Sequence, residues 1–458
     1  MHVEINDTPA TASFPAISKK AIRYAVGISM VAALGGFLFG FETAVISGAE
    51  KTIQGLWQLS SGWQGFTVAS SLIGTVIGSL ITGMPAQRYG RKKVLTAIAI
   101  LYLLSAIGCA LTPVWLLFIT FRFIGGLAVG ASSVVGPMYI SEVAPAKIRG
   151  RLAGSFQLMI VAGIFTAYLT NFFFVDFGDS GWRWMLGIMV IPSALFAILV
   201  RMIPESPRWL ILNNRDEEAK AIFMRTGEPH AASIVKEEHL LQAGGIKENL
   251  FNGKYGKPIL YAVLLAMFNQ LSGINAILYY APRIFEMAGF DKADSYLQPV
   301  YIGAANLLFT MLAMTVIDKF GRKTLLLIGC VGLVVFLSLT AHAFSGAAIG
   351  KNVLFYLLGY IAFFAFSQGA VLWVFVSEIF PNSVRSQGSS LGSFTHWIMA
   401  AIISWTFPII VEGSPNGGFY SFVFYAVMMV VAFLFIWKLL PETKGRSLEQ
   451  IQKELGIK

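Results

Sequence analysis

Charge is scarce in this chain: only 13% of its 458 residues are Asp, Glu, Lys or Arg, while 56% are hydrophobic and the mean hydropathy is +0.69. So little charge excludes a soluble protein wrapped around a single core and leaves a polytopic membrane protein. Cysteine is nearly missing. Cys109 and Cys330, each inside an apolar run, exclude a disulfide framework. The 24 acids and five histidines form no metal-ligand cluster, no nucleophile–base pair and no phosphate loop, so neither an enzyme nor a bound metal or cofactor is expected. The polar start up to Lys20, followed by a long apolar run that leads into many more, argues against a cleaved signal peptide.

What the chain has is long apolar runs. Stretches able to span about 30 Å as helices begin near Tyr24, Gly65, Val94, Val114, Leu152, Trp184, Pro258, Pro299, Thr324, Val353, Ser389 and Phe419. The second run is rich in Gly, Ser and Thr, the small residues that close helix contact in lipid requires. With the N-terminus in the cytoplasm, 26 basic residues fall inside and five outside: Lys51, Arg183, Arg283, Lys292 and Lys351. The net charge of +10 is therefore a topology signal and no nucleic-acid partner is expected. The expected fold is an all-α membrane protein with these divisions: a cytoplasmic N-terminal segment 1–23, a six-helix bundle 24–203, a cytoplasmic linker 204–257 with short helices, a second six-helix bundle 258–440, and a cytoplasmic tail 441–458.

The halves echo each other. RYGRKKVL (88–95) returns as KFGRKTLL (319–326), SEVAPAKIRG (141–150) as SEIFPNSVRS (377–386), and PESPRWL (204–210), more weakly, as PETKGRSLEQI (441–451). The offsets of 231, 236 and 237 agree, so a six-helix unit is duplicated in parallel orientation, an architecture of secondary transporters with a site between the repeats.

Two charges stand out against the spans: Glu42, the one acid read as lying well inside the membrane, and Arg122, the one deep cation. Each is costly alone in lipid, and both fall in the outer half by helix counting, so burial as a pair is expected. Amides and aromatics also interrupt the spans: Gln157; Asn269, Gln270 and Asn275; Asn306; Trp373; His396 and Trp397. A sugar needs groups that both donate and accept, together with aromatic planes for its C–H faces, and this set supplies both. Helix-to-helix hydrogen bonding in lipid is the alternative use for the same side chains. Gln270 and Asn275 lie about 140° apart on an ideal helix, so one ligand meets both only where the helix unwinds, for which Gly273 is suited.

Together these motifs resemble the sugar porters of the major facilitator superfamily from about Tyr24 to the end of the chain. The resemblance rests on FGFETAVISG, RYGRKK, FRFIGGLAVG, SEVAPAKIRGRLAG, PESPRWL, QLSGINAILYY, DKFGRK, VSEIFPNSVR and PETKGRSLEQI. It implies import of a monosaccharide, a hexose or a pentose such as glucose or xylose, by alternating access of two bundles. It further implies sugar contacts at Phe39, Gln157, Gln270, Asn275, Asn306, Trp373 and Trp397, and an outer gate at Tyr279 and Tyr280. An acid at Glu42 belongs, by resemblance, to members that move a proton with the sugar. The cytoplasmic motifs imply an inner gate of Arg88, Arg91, Glu142, Arg149, Glu205, Asp318, Arg322, Glu378 and Arg385, closed by salt bridges when the protein faces outward. Several residues depart from the family's pattern: Glu42 for the usual Asp, Gln87 for an acid, Asn269 for a Gln, His396 for an amide, and Ile164 for the Gln of some members.

The expected partners are thus a monosaccharide, a proton and the lipid bilayer, with the chain acting as a monomer. A facilitative uniporter, with Glu42–Arg122 as a structural pair, is the alternative, followed by a transporter-like sugar sensor. A multidrug exporter of the same superfamily is disfavoured, because GSFQLMIVAGIF lacks a Gly-Pro pair. No external loop carries an N-x-S/T acceptor, which points to a bacterial inner membrane.

Overall fold

A computed structural model describes residues 17–235, 237, 248–345, 352–381, 383–446, 448–455 and 457. Residues 1–16, most of 236–247, Lys351 and the side chain of Asp318 lie outside the described residues. Every regular element among the described residues is helical. Twelve helices are long and apolar enough to cross a membrane: α1 Lys19–Leu56, α2 Ser61–Ile81, α3 Arg91–Leu111, α4 Trp115–Val143, α5 Arg149–Phe174, α6 Gly178–Met202, α7 Gly256–Tyr279, α8 Lys292–Ile317, α9 Arg322–Ala343, α10 Asn352–Ile379, α11 Arg385–Gly413 and α12 Gly417–Leu439. They form two six-helix repeats, α1–α6 and α7–α12.

All but one of the helices begin earlier than the apolar runs, by up to seven residues. At α1, α2, α3, α8 and α9 polar caps outside the runs account for this. Ser18 Oγ accepts from Ala21 N at 3.2 Å, and Asp291 Oδ1 from Asp294 N at 2.9 Å, so α8 starts at Lys292 and carries Pro299 in its interior. The repeated G-R-K motifs act in the same way. Gly90 and Gly321, at φ 95° and 88°, precede α3 and α9. The Glu205 carboxylate accepts from the backbone N–H of Arg91 (2.8 Å) and Lys92 (3.0 Å), and Glu442 from those of Arg322 (2.9 Å) and Lys323 (3.0 Å). A Cβ on either glycine would sit 2.2 Å from Glu205 Oε2 or 2.6 Å from Glu442 Oε2, which explains why glycine stands there.

Small residues bring the helices together. A Cβ on Gly40 would lie 1.8 Å from Ile160 O, one on Gly126 1.8 Å from Ser71 O, and one on Gly65 2.1 Å from Trp405 O. The first contact joins α1 to α5, the second α2 to α4, and the third crosses between the repeats from α2 to α11. The other main crossing is α5 on α8, its counterpart under the internal repeat. Three spans are interrupted: α6 at Ile188–Met189, α7 at Ser272–Gly273, where Gly273 has φ 85°, and α10 at Ser367. The linker folds into the helices Pro207–Leu212 and Asp216–Thr226, tied to the first repeat by Trp209 Nε1 donating to Gln87 O (2.7 Å) and by Arg225 over the Tyr24 ring.

Candidate substrate and coupling site

Glu42 and Arg122 form the expected ion pair, joining α1 to α4. Both are buried, at 3% and 0% exposure, and Arg122 NH1 also approaches Glu42 O at 3.5 Å. Arg122 Nε and NH2 find no hydrogen-bond partner among the described residues, so this guanidinium is held mainly by one carboxylate. The pair therefore depends on the charge of that one carboxylate.

The amides and aromatics gather around the break in α7. Asn275 Nδ2 donates to Gln270 Oε1 at 2.7 Å, across the Gly273 kink, so the unwinding expected from the five-residue spacing is present. Gln270 Nε2 donates to Asn269 Oδ1 at 3.1 Å and lies 3.2 and 3.1 Å from the two ring nitrogens of His396. Trp373 and Trp397 flank that imidazole at 4.9 and 4.8 Å between ring centroids. Phe39 of α1 reaches Trp397 at 5.5 Å, so one aromatic contact bridges the repeats. Gln157 and Asn306, on α5 and α8, make no side-chain hydrogen bond among the described residues. Asn269 Nδ2 donates to the backbone carbonyl of Gln368 on α10 at 3.1 Å, while the Gln368 side chain turns its Nε2 to Cys330 Sγ at 3.7 Å and its buried Oε1 has no partner among the described residues.

The outer side of the cluster is closed. Tyr279 and Tyr280 are buried, and Tyr280 donates to Ser404 O at 2.9 Å. Tyr168 donates to Leu278 O (2.8 Å) and Tyr296 to Gly48 O (2.7 Å), both across the repeats. Above them lies an ion cluster that the sequence analysis missed. Arg283, on the short helix Ala281–Met287, donates from Nε and NH2 to the two oxygens of Glu50 at 2.8 and 2.7 Å, and from NH1 to Glu412 at 2.6 Å. Burial opposes the charge on Arg283, but the carboxylates of Glu50 and Glu412 outweigh it and raise its pKa above the ordinary arginine value. In the sequence each of these charges looks like an ordinary helix-end residue; only Glu50 and Gln54, four apart on α1, hint at a shared polar face.

The inner-gate residues sort by repeat. Arg91 pairs with Glu142 (2.8 Å) and Arg322 with Glu378 (2.9 Å), each within its own half. Arg149 faces Glu228 of the linker at 3.9 Å, and Arg88 lies exposed over the Tyr89 ring. Arg385 lines a cleft with Arg322, Glu378, Thr443 and Arg446, and its buried Nε has no partner among the described residues. Asp318 falls outside the described side chains.

Known proteins resemble this chain over nearly its whole length. The chain is 37% identical to the D-xylose-proton symporter of Escherichia coli (strain K12), over 94% of this chain and 95% of that one. It is 36% identical to the arabinose-proton symporter of Bacillus subtilis (strain 168), over 96% and 97%. The inward open conformation of the xylose transporter XylE from E. coli matches with a TM-score of 0.84 at 37% identity, over 94% of this chain and 99% of that one. The same protein bound to 6-bromo-6-deoxy-D-glucose matches at 0.78 and 36%, with the same coverage. The protein is thus a multi-pass membrane transporter and not an enzyme. A family model described as "Sugar (and other) transporter" matches residues 28–455, and the chain belongs to that family, the sugar porters of the major facilitator superfamily.

Proposed function

We propose that this protein imports a monosaccharide together with a proton, as a monomer in a lipid bilayer, with both termini and the linker 204–257 in the cytoplasm. The observation that carries the reading is the buried Glu42–Arg122 pair, whose carboxylate lies on the same helix α1 that presents Phe39 to the amide–aromatic cluster. Gln270, Asn275, Asn269 and His396 offer donors and acceptors to hydroxyls, and Trp373, Trp397 and Phe39 offer apolar planes. Gln157 and Asn306, with no side-chain hydrogen bond among the described residues, offer further groups to sugar from α5 and α8.

In the proposed cycle a proton from outside neutralises Glu42, releases Arg122 and permits closure around sugar. Facing inward, Glu42 gives up the proton and the pair re-forms, as it is here. A potential of about 100 mV supplies roughly 2.3 kcal/mol per proton. At about 1.4 kcal/mol per factor of ten, that sustains accumulation of roughly fiftyfold.

The test is uptake by purified protein in liposomes, using labelled pentoses, hexoses and inositol with and without an acid-outside gradient. Accumulation driven by the gradient is expected. Rapid equilibration without accumulation would instead identify a uniporter in which Glu42–Arg122 is structural. In the Glu42→Gln variant, sugar-driven proton uptake stops while exchange of labelled sugar continues.

A further inference from the structure

The outer face carries charge that the transport cycle proposed above does not use. Arg283 and Glu286 lie on the short helix after α7, and Glu412 ends α11; all three belong to the second repeat. Opposite them Glu50, Lys51 and Gln54 occupy the outer turns of α1, with Gln64 on α2 behind. Glu50 is 1% exposed and holds both arms of the Arg283 fork, while Gln64 Nε2 donates to its other side at 2.8 Å. Gln54 donates to Glu412 at 2.9 Å and accepts from Arg283, and Lys51 pairs with Glu286. Every ionic contact named here except Arg283–Glu412 crosses from one repeat to the other.

We propose that the Glu50–Arg283 pair, steadied by Gln54, Gln64 and Glu412, is a lock that exists only while the outside is closed and that sets how often the protein opens to the exterior. Uptake requires the outer ends of α1, α7 and α11 to part, and this bidentate fork must break for them to do so. In the closed state both partners are nearly buried, where a paired carboxylate and guanidinium attract strongly and an unpaired one is costly. Once the vestibule fills with water, each is hydrated alone. Loss of one partner therefore penalises the closed state and leaves the open one almost untouched. The inference rests on alternating access alone and is independent of which sugar is carried or whether a proton accompanies it.

The test places spin labels on Asp179, in the first turn of α6, and Asn416, in the turn before α12, exposed residues at the outer ends of the first and second repeats, in protein whose free Cys109 and Cys330 are replaced. Double electron–electron resonance on reconstituted protein without sugar then reads the outer distance. Arg283→Gln is expected to raise the long-distance population by about fivefold or more. The double variant Glu50→Gln with Arg283→Gln buries no unpaired charge and is expected to fall between Arg283→Gln and the unsubstituted protein. An unchanged distance distribution in Arg283→Gln overturns the proposal. Should that variant fail to fold, the double variant decides: a shift toward long distances supports the lock, and none overturns it.

Discussion

At the scale of single residues the decisive fact is asymmetry within the Glu42–Arg122 pair. Glu42 has a neutral form available, whereas an arginine keeps its charge at any pH a cell meets. Replacing Arg122 by Met leaves Glu42 in a site 3% exposed with no other cation bonded to it, and a proton can neutralise it there. Glu42→Gln leaves the Arg122 guanidinium, 0% exposed, with its charge and no carboxylate; an amide oxygen and the nearby backbone carbonyl of residue 42 are its remaining acceptors. Loss of one partner from such a pair costs about 3–5 kcal/mol where the charge left behind cannot be neutralised. Thermal unfolding in detergent is therefore expected to show a clear drop in midpoint for Glu42→Gln and a smaller one for Arg122→Met. A larger drop for Arg122→Met would mean that the guanidinium supports the fold by packing rather than by its charge. The pairing itself was legible in the sequence, because a lone acid and a lone base in apolar spans leave few alternatives. The Glu50–Arg283–Glu412 cluster was not, because acids and bases near helix ends are ordinary and only the tertiary fold shows these to be buried together.

At the scale of the helix, α7 shows how a break becomes a binding surface. Ser272 O and Oγ are taken up by the Tyr360 hydroxyl of α10 at 3.1 and 3.2 Å, so the carbonyl freed by the kink does not go unbonded. Gly273 adopts φ 85°, and a Cβ there would lie 2.4 Å from the Tyr425 ring. Gly273→Ala must either strain the backbone, at about 1–3 kcal/mol, or straighten the helix and carry Asn275 away from Gln270. Either outcome lowers initial sugar uptake in liposomes, with KM rising more than the maximal rate falls, because the amide pair and not the coupling pair is disturbed. An unchanged KM would detach the Gln270–Asn275 contact from sugar binding. The five-residue spacing and the glycine between made this kink readable from the sequence. The second-repeat cap was harder to read: PETKG matches PESPR weakly letter by letter, yet Glu442 caps α9 as Glu205 caps α3, because a carboxylate facing free N–H groups needs little else around it.

At the scale of the molecule, the two ends differ in what crosses between the repeats. On the outer side Tyr168, Tyr296, Trp405 and Arg283 bond across it, whereas Arg91–Glu142 and Arg322–Glu378 on the inner side each stay within one half. Apolar run length made the twelve spans legible in advance, and the recurring motifs at matching offsets made their repeat so. The facing direction was not, because one sequence must stabilise both outward and inward states within a few kcal/mol. The geometry here is that of a protein closed outside, in keeping with the better match to an inward open relative. Gln157, half-buried and with no side-chain hydrogen bond among the described residues, is the natural reporter of which side reaches the centre. In a cysteine-free background, Gln157→Cys is expected to react with a membrane-impermeant thiol reagent about tenfold faster in inside-out than in right-side-out vesicles. An acid-outside gradient with sugar present then narrows the gap, since loading from outside populates the opposite state. Equal rates from both faces at rest, or a faster reaction from outside, would place the resting protein in an outward-facing state and make the outer ion cluster a minor feature of the cycle.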